Sequence, residues 1–240
     1  HSLWSDGDDF PEMIIKWHKE NDYQFVAISD HNSIADDENY WHELNVHDRY
    51  NKSLEKYQDS FGDWVEVKNF HGKEYVRLKT FDEYKAKMEE DGSFIVIRAE
   101  EVTARYNDKQ VHINVTNIKD KISPPDGSSV LDIMQKTLDM ALAQREKFNE
   151  SIFAHINHPN LNYSVSIEDL KKLNGERFFE VYNGHPSSNN NGDDLNFSLE
   201  EMWDLINIDY YKNNKPLLFG LATDDSHKYH AWSSSRSNPG

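Results

Sequence analysis

Short apolar runs that stop abruptly at His, Asp or Glu recur along this chain. Between them lie stretches in which apolar residues return every third or fourth position. The runs are 25–28 (FVAI) before Ser-Asp-His-Asn, 94–97 (FIVI) before Arg-Ala-Glu-Glu, 152–156 (IFAHI) before Asn-His-Pro, and 216–221 (PLLFGL) before Ala-Thr-Asp-Asp-Ser-His. Apolar runs this short, bounded by polar residues, predict buried strands with polar C-terminal tips. Two further strands are predicted over 111–115, with His112 near the start, and over 178–182, which ends at Asn-Gly-His185.

The helical stretches are 11–21, with Met13, Ile14 and Trp17 on one face, 81–91, closed by Gly92, and 130–148, with Leu131, Met134, Leu138, Ala141 and Leu142 on one face. Two more are 167–173, capped by Ser166 with Asp169 three residues on, and 199–211. An aspartate before Pro11 is the expected N-cap of the first helix. Strand and helix alternate, so the pattern predicts a parallel β/α arrangement with the polar strand ends gathered on one rim.

Two segments depart from the alternation. Residues 35–80 are polar and aromatic: helical over 36–57, with His42 and His47 on the helix surface, then alternating in 64–67 and 75–78 as a small hairpin. This reads as an insertion at the rim that shapes substrate access. Residues 187–194 are a low-complexity Ser/Asn/Gly loop, expected to be mobile.

Composition narrows the picture. A chain of 240 residues holds one α/β domain, and no linker or repeat divides it. Its net charge of −17 argues against a nucleic-acid or anionic-membrane surface, and no run is long enough for a membrane span. With 12 histidines and no cysteine, any bound metal has N and O ligands only. A carboxylate and an imidazole buried together at strand tips are reasonable companions for a cation.

The motifs His1-Ser-Leu-Trp-Ser-Asp6-Gly7, Ser29-Asp30-His31-Asn32, Glu101-Val-Thr, Val111-His112, His158-Pro159 and Asp225-Ser226-His227, in this order over nearly the whole chain, resemble those of the PHP (polymerase and histidinol phosphatase) metallohydrolases. The resemblance implies a distorted TIM-like (β/α)7 barrel. It also implies up to three divalent ions, Mn, Fe or Zn. Glu101 would bridge two of them, His1 and Asp225 would complete the first, His112 and His158 the second, and Asp6, His31 and His227 would hold the third. The family pattern favours Glu101 over Glu100 and His158 over His155. Asp30 and Asp224 would orient neighbouring ligands.

The implied activity is hydrolysis of a small phosphomonoester or phosphodiester by a metal-bridging hydroxide, with Glu101, Asp225 and His227 as the catalytic set and His185 and His230 at the substrate. A carbamate or ester hydrolase of the same family, or a non-catalytic metal-binding module, are the competing readings. The resemblance further implies that the chain is truncated at both ends. His1 would then be the second histidine of a His-x-His pair, on a first barrel strand missing from this sequence.

Overall fold

The computed structural model describes residues 1–44, 48–175, 177–232 and 234–240, with 48–51 as backbone alone. Its helices are α1 (Pro11–Glu20), α2 (Asp48–Phe61), α3 (Phe81–Met88), α4 (Val130–Phe148), α5 (Ile167–Leu170) and α6 (Leu199–Lys212). The strands are β1 (Phe25–His31), β2 (Trp41–Glu43), β3 (Val67–Phe70), β4 (Lys73–Arg77), β5 (Ile95–Tyr106), β6 (Lys109–Thr116), β7 (Phe153–Ile156), β8 (Phe178–Asn183) and β9 (Phe219–Thr223). The fold is a mixed α/β one.

Six strands form the main sheet in the order β1-β5-β6-β7-β8-β9. The pairs β1/β5, β7/β8 and β8/β9 are parallel, but β6 is antiparallel to both neighbours, which corrects the uniformly parallel expectation. The cause is local. Strand β5 does not stop at its acidic pair but continues to Tyr106, and Asn107, with φ +54°, turns the chain straight back into β6. A two-residue turn leaves room only for an antiparallel partner.

Period-two alternation along this hairpin sorts its side chains. Val102, Ala104, Val111, Ile113 and Val115 join the main core with Ile133, Met134 and Leu138 of α4 and Ile206 of α6. Glu101, Thr103, Arg105, Gln110 and His112 are left for the opposite face.

The sheet curls. Its edge strands β1 and β9 are both reached by the first residues of the chain: the Ser2 backbone N–H donates to Asp30 Oδ1 (2.6 Å), and the His1 amino group donates to the Ser226 carbonyl (2.8 Å). Between those edges lies a cavity of about 550 Å³, lined by Phe25, Val26 and Ala27 on one side and Leu221, Ala222 and Thr223 on the other.

The 35–80 segment differs from expectation. Residues Trp41–Glu43 are a strand, so His42 lies on β2 and not on a helix; β2-β4-β3 form a three-stranded sheet, and the helix begins at Asp48. His47 falls outside the described residues. Leu44, Leu54, Tyr57, Val76 and Leu78 of this segment are buried against Leu3, Phe10 and Met13, so it supplies one side of a core cluster. The buried Glu12 carboxylate binds it further, accepting from Tyr57 Oη and Trp64 Nε1, each at 2.8 Å.

Two smaller expectations also change. No side chain caps α1. Phe10 holds the N-cap position, because Asp9 Oδ1 instead accepts the Phe10 N–H and Asp9 Oδ2 pairs with Lys56 at 2.9 Å. The Ser/Asn/Gly stretch is tied down, since Ser188 Oγ donates to Asn183 Oδ1 (2.7 Å), Asn190 exchanges two bonds with the Asn183 backbone, and Asn189 bonds the Asn160 carbonyl. Asparagine carries both donor and acceptor, so a run of them can satisfy loop backbone that composition alone marks as loose.

Candidate metal centre

Six parts of the fold converge on one rim. β1 ends at His31, which is in register with Glu101 of β5. Thr103 of β5 is in register with His112 of β6. His158 follows β7, Asp225 and His227 follow β9, and the loop ahead of α1 carries His1 and Asp6. Asp225 and His158 both take positive φ (+49° and +22°), so the chain bends sharply at the two positions where it leaves the sheet.

Glu101 is the hub. Its Oε2 lies 3.0 Å from His1 Nε2 and 3.6 Å from His31 Nδ1, while Oε1 lies 2.9 Å from His112 Nδ1 and 3.5 Å from His158 Nε2. Glu100, one residue earlier, faces away and accepts the Ile122 N–H at 2.8 Å. Asp225 is the second carboxylate, 2.9 Å from His1 Nε2 through Oδ1 and 3.9 Å from His158 Nε2 through Oδ2. Asp6 Oδ1 is the third centre, 3.3 Å from His227 Nε2, 3.6 Å from His31 Nε2 and 3.7 Å from His1 Nδ1. All eight residues singled out from the sequence as ligands therefore lie together.

Their fixed orientation comes from neighbours. Thr103 Oγ1 bonds His31 Nδ1 at 2.5 Å, and the Asp225 carbonyl and Ser237 Oγ sit 2.7 and 3.2 Å from His227 Nδ1. Asn183 Nδ2 donates to Asp225 Oδ2 at 3.3 Å. The buried Asp8 carboxylate accepts the N–H groups of Tyr229, His230 and Ala231, which holds the loop after His227 in place. Asp30 likewise holds the first loop, whereas the Asp224 side chain accepts only the Gly240 N–H among the described residues and makes no hydrogen bond to any of the eight.

Burial alone would push the Glu101 carboxyl up, but the imidazoles of His1, His112 and His158 close around it outweigh that and hold it well below the usual range. Burial works against His158 too, and the Glu101 carboxylate overrides it, raising the imidazole to about 9. His1 is raised in the same way by Asp225 and Glu101. For His31 burial outweighs its carboxylate neighbours and its pKa falls. The side chains of Glu101, Asp225, His1, His112, His158 and His227 are buried, while Asp6 and His31 stand at the open side of the cluster.

A divalent cation fits it on independent grounds. Asp6 Oδ1, Glu101 Oε1 and His112 Nδ1 are buried with no hydrogen-bond partner, although the last two are 2.9 Å apart. Donor atoms this close that make no hydrogen bond to each other could serve one cation together. Three overlapping groups, His1/Asp6/His31/His227, His31/Glu101/His112 and His1/Glu101/Asp225, each have their ligand atoms within 4.8 Å of one another. His158 joins none of these three, lying 3.5 Å from Glu101.

The two residues expected at the substrate diverge. The His185 ring lies 5.3 Å from that of His227. His230 is held through its N–H by Asp8 and contacts none of the eight, so it is not part of this cluster. Sequence reading missed Arg236, whose guanidinium donates to Asp6 Oδ2 at 2.5 Å; it lies in a Ser-rich tail with no pattern to mark it. It also missed Asp8, for which the acidic run 6–9 was the available signal.

No protein-family model and no curated protein matches this chain. Among solved structures it is similar to a "putative metal-dependent phosphoesterase" of Bifidobacterium adolescentis, at 12% identity over 99% of this chain and 90% of that one, with a TM-score of 0.41.

Proposed function

We propose that this protein is a metal-dependent phosphoesterase of the PHP type, built on a distorted (β/α)7-like barrel. The observation behind this reading is Glu101, a buried carboxylate with each oxygen facing two imidazoles and one oxygen left without a hydrogen bond. One carboxylate serving two sets of nitrogen ligands is what a bridged pair of cations requires. Glu101 would bridge, His1 and Asp225 would complete one ion, His112 and His158 a second, and Asp6, His31 and His227 a third. The N and O donor set suits Mn, Fe or Zn. Such ions supply an acidified water and neutralise charge on a phosphoryl group.

The chain's own residues do the positioning. Thr103, Ser237 and Asn183 fix the ligand rings and carboxylates, as partners behind a metal site do. His185 Nδ1 accepts the Ser187 N–H at 3.2 Å, which leaves the ring proton on Nε2. His185 therefore offers a hydrogen-bond donor beside His227, suited to an oxygen of the substrate or its leaving group.

The test is metal analysis of the purified protein followed by assays on phosphomonoesters, phosphodiesters and carbamates. Bound metal with phosphoester turnover supports the reading. Turnover of carbamates alone would place the protein with the ester hydrolases, and tightly bound metal with no turnover would make it a binding module.

A further inference from the structure

A cavity of about 600 Å³ opens directly beside His31 and His112. Its floor is the site face of the β5–β6 hairpin, where Glu101, Thr103 and Arg105 follow one another at every second residue and Arg105 is in register with Gln110. Pro124 and Pro125, both conformationally stiff, and Asp126 complete the lining. Four residues of strand place Arg105 roughly 13 Å from Glu101 along the hairpin, measured between Cα atoms.

Arg105 differs from the other described arginines. Arg77, Arg98 and Arg236 pair with carboxylates, Arg145 donates to the Ile152 carbonyl, and Arg177 lies over the Phe219 ring. Among the described residues Arg105 has no side-chain hydrogen bond, ion pair or ring contact, not even with Asp126 of the same cavity lining. In a chain of net charge −17, this exposed guanidinium without a protein counter-charge, on the same strand face as the hub carboxylate, is free to take an anion from outside. Guanidinium forks match carboxylate and phosphate groups.

We infer that this cavity is the leaving-group subsite and that Arg105 selects phosphoesters whose leaving group carries its own anion, a carboxylate or a second phosphate. The inference rests on the phosphoesterase reading above. Asp126 opposes the same anion and moderates the preference.

The experiment uses the metal-reconstituted full chain and two matched substrates, 4-carboxyphenyl phosphate and its neutral analogue 4-carbamoylphenyl phosphate. Arg105→Gln should raise KM for the carboxylate roughly five-fold at unchanged kcat, the scale of one partly exposed charge pair, and leave the carbamoyl substrate alone. Asp126→Asn should lower KM for the carboxylate substrate. A second aryl phosphate bearing a para phosphonate separates a preference for phosphate-like groups from one for carboxylates. Equal effects of Arg105→Gln on charged and neutral substrates, or none on either, would overturn the inference.

If no aryl phosphate is hydrolysed, the phosphoesterase reading fails, and calorimetry then decides Arg105 separately. Wild type should bind 4-carboxybenzylphosphonate more tightly than 4-carbamoylbenzylphosphonate, and Arg105→Gln should erase that difference. No difference in wild type, or one that survives the substitution, counts against the subsite.

Discussion

Ser2 donates twice to Asp30, from its backbone N–H at 2.6 Å and from its hydroxyl at 2.7 Å, and this pair fixes the loop that carries His1 and Asp6 to the end of β1. The Ser5 hydroxyl adds a third bond at 2.5 Å. Replacing Asp30 by Ala leaves three donors without their acceptor and frees the loop. Apparent metal affinity should fall on the order of ten-fold, as is usual for supporting partners of ligands, with the far-UV spectrum retained. Metal titration of the variant gives the answer, and unchanged affinity would show that the loop is held by other means.

Glu101 and Glu100 are adjacent but face opposite sides of β5, which makes a paired experiment possible. Glu101→Gln should lower metal content and hydrolysis together. Glu100→Gln keeps the acceptor for the Ile122 N–H and should leave both near wild type. The reverse outcome, read by elemental analysis, would refute the assignment of the hub.

Removing metal should cost stability, because the cluster's carboxylates and imidazoles are buried together. Saturation at a hundred times the dissociation constant stabilises a fold by about 2.7 kcal/mol. For a chain of this size that corresponds to roughly 5–10 °C in Tm, lost on chelation. Calorimetric scans with and without chelator check it; identical Tm values would argue that no ion is held.

Asp9 gives a pH signature away from the cluster. Burial pushes its carboxyl up to about 6, in spite of Lys56 2.9 Å away. Unfolded, it titrates near 4, so the folded state holds the proton more tightly and this group's contribution to stability is full below about pH 4. That contribution is lost as the pH rises to about 6, by on the order of 2 kcal/mol. Asp9→Asn removes this slope, so the variant should gain on wild type in urea midpoint between pH 4 and 7. A constant offset between the two proteins across that range would contradict it.

The 35–80 segment belongs to the core, so its hydrogen bonds to α1 should matter to the whole fold. Tyr57→Phe removes one of two donors to the buried Glu12 carboxyl and should destabilise by about 1–2 kcal/mol. Excising the segment would strip Leu3, Phe10 and Met13 of their cover, and such a variant should not fold. Urea unfolding of the point variant and solubility of the excised one are the measurements.

Much of this arrangement was legible in the sequence because strand tips carry their chemistry with them. The runs ending at His31, Glu101, His158 and His227 had to deliver those residues to one edge once the strands were adjacent. Helix α4 appears with the predicted ends because its apolar face and its Ser129 cap agree. The direction of β6 was not legible: an apolar strand reads the same in either sense, and only the length of the turn before it decides. Trp41–Glu43 were read as helix because three residues are too few to show a period. Arg236 was invisible for a different reason, since its role depends on where the tail returns and not on its neighbours in the chain.

The bond between the His1 amino group and the Ser226 carbonyl spans 225 residues, and Asp8 grips the backbone of 229–231 across a similar interval. Contacts of that separation close the longest loops the chain has and are made late in folding, after local hairpins and helices have formed. The β5–β6 hairpin, with Glu101 and His112, can assemble early from near neighbours, whereas Asp6, His1, Asp225 and His227 meet only when the curled sheet is complete. The eight side chains are therefore brought together only as the final act of folding.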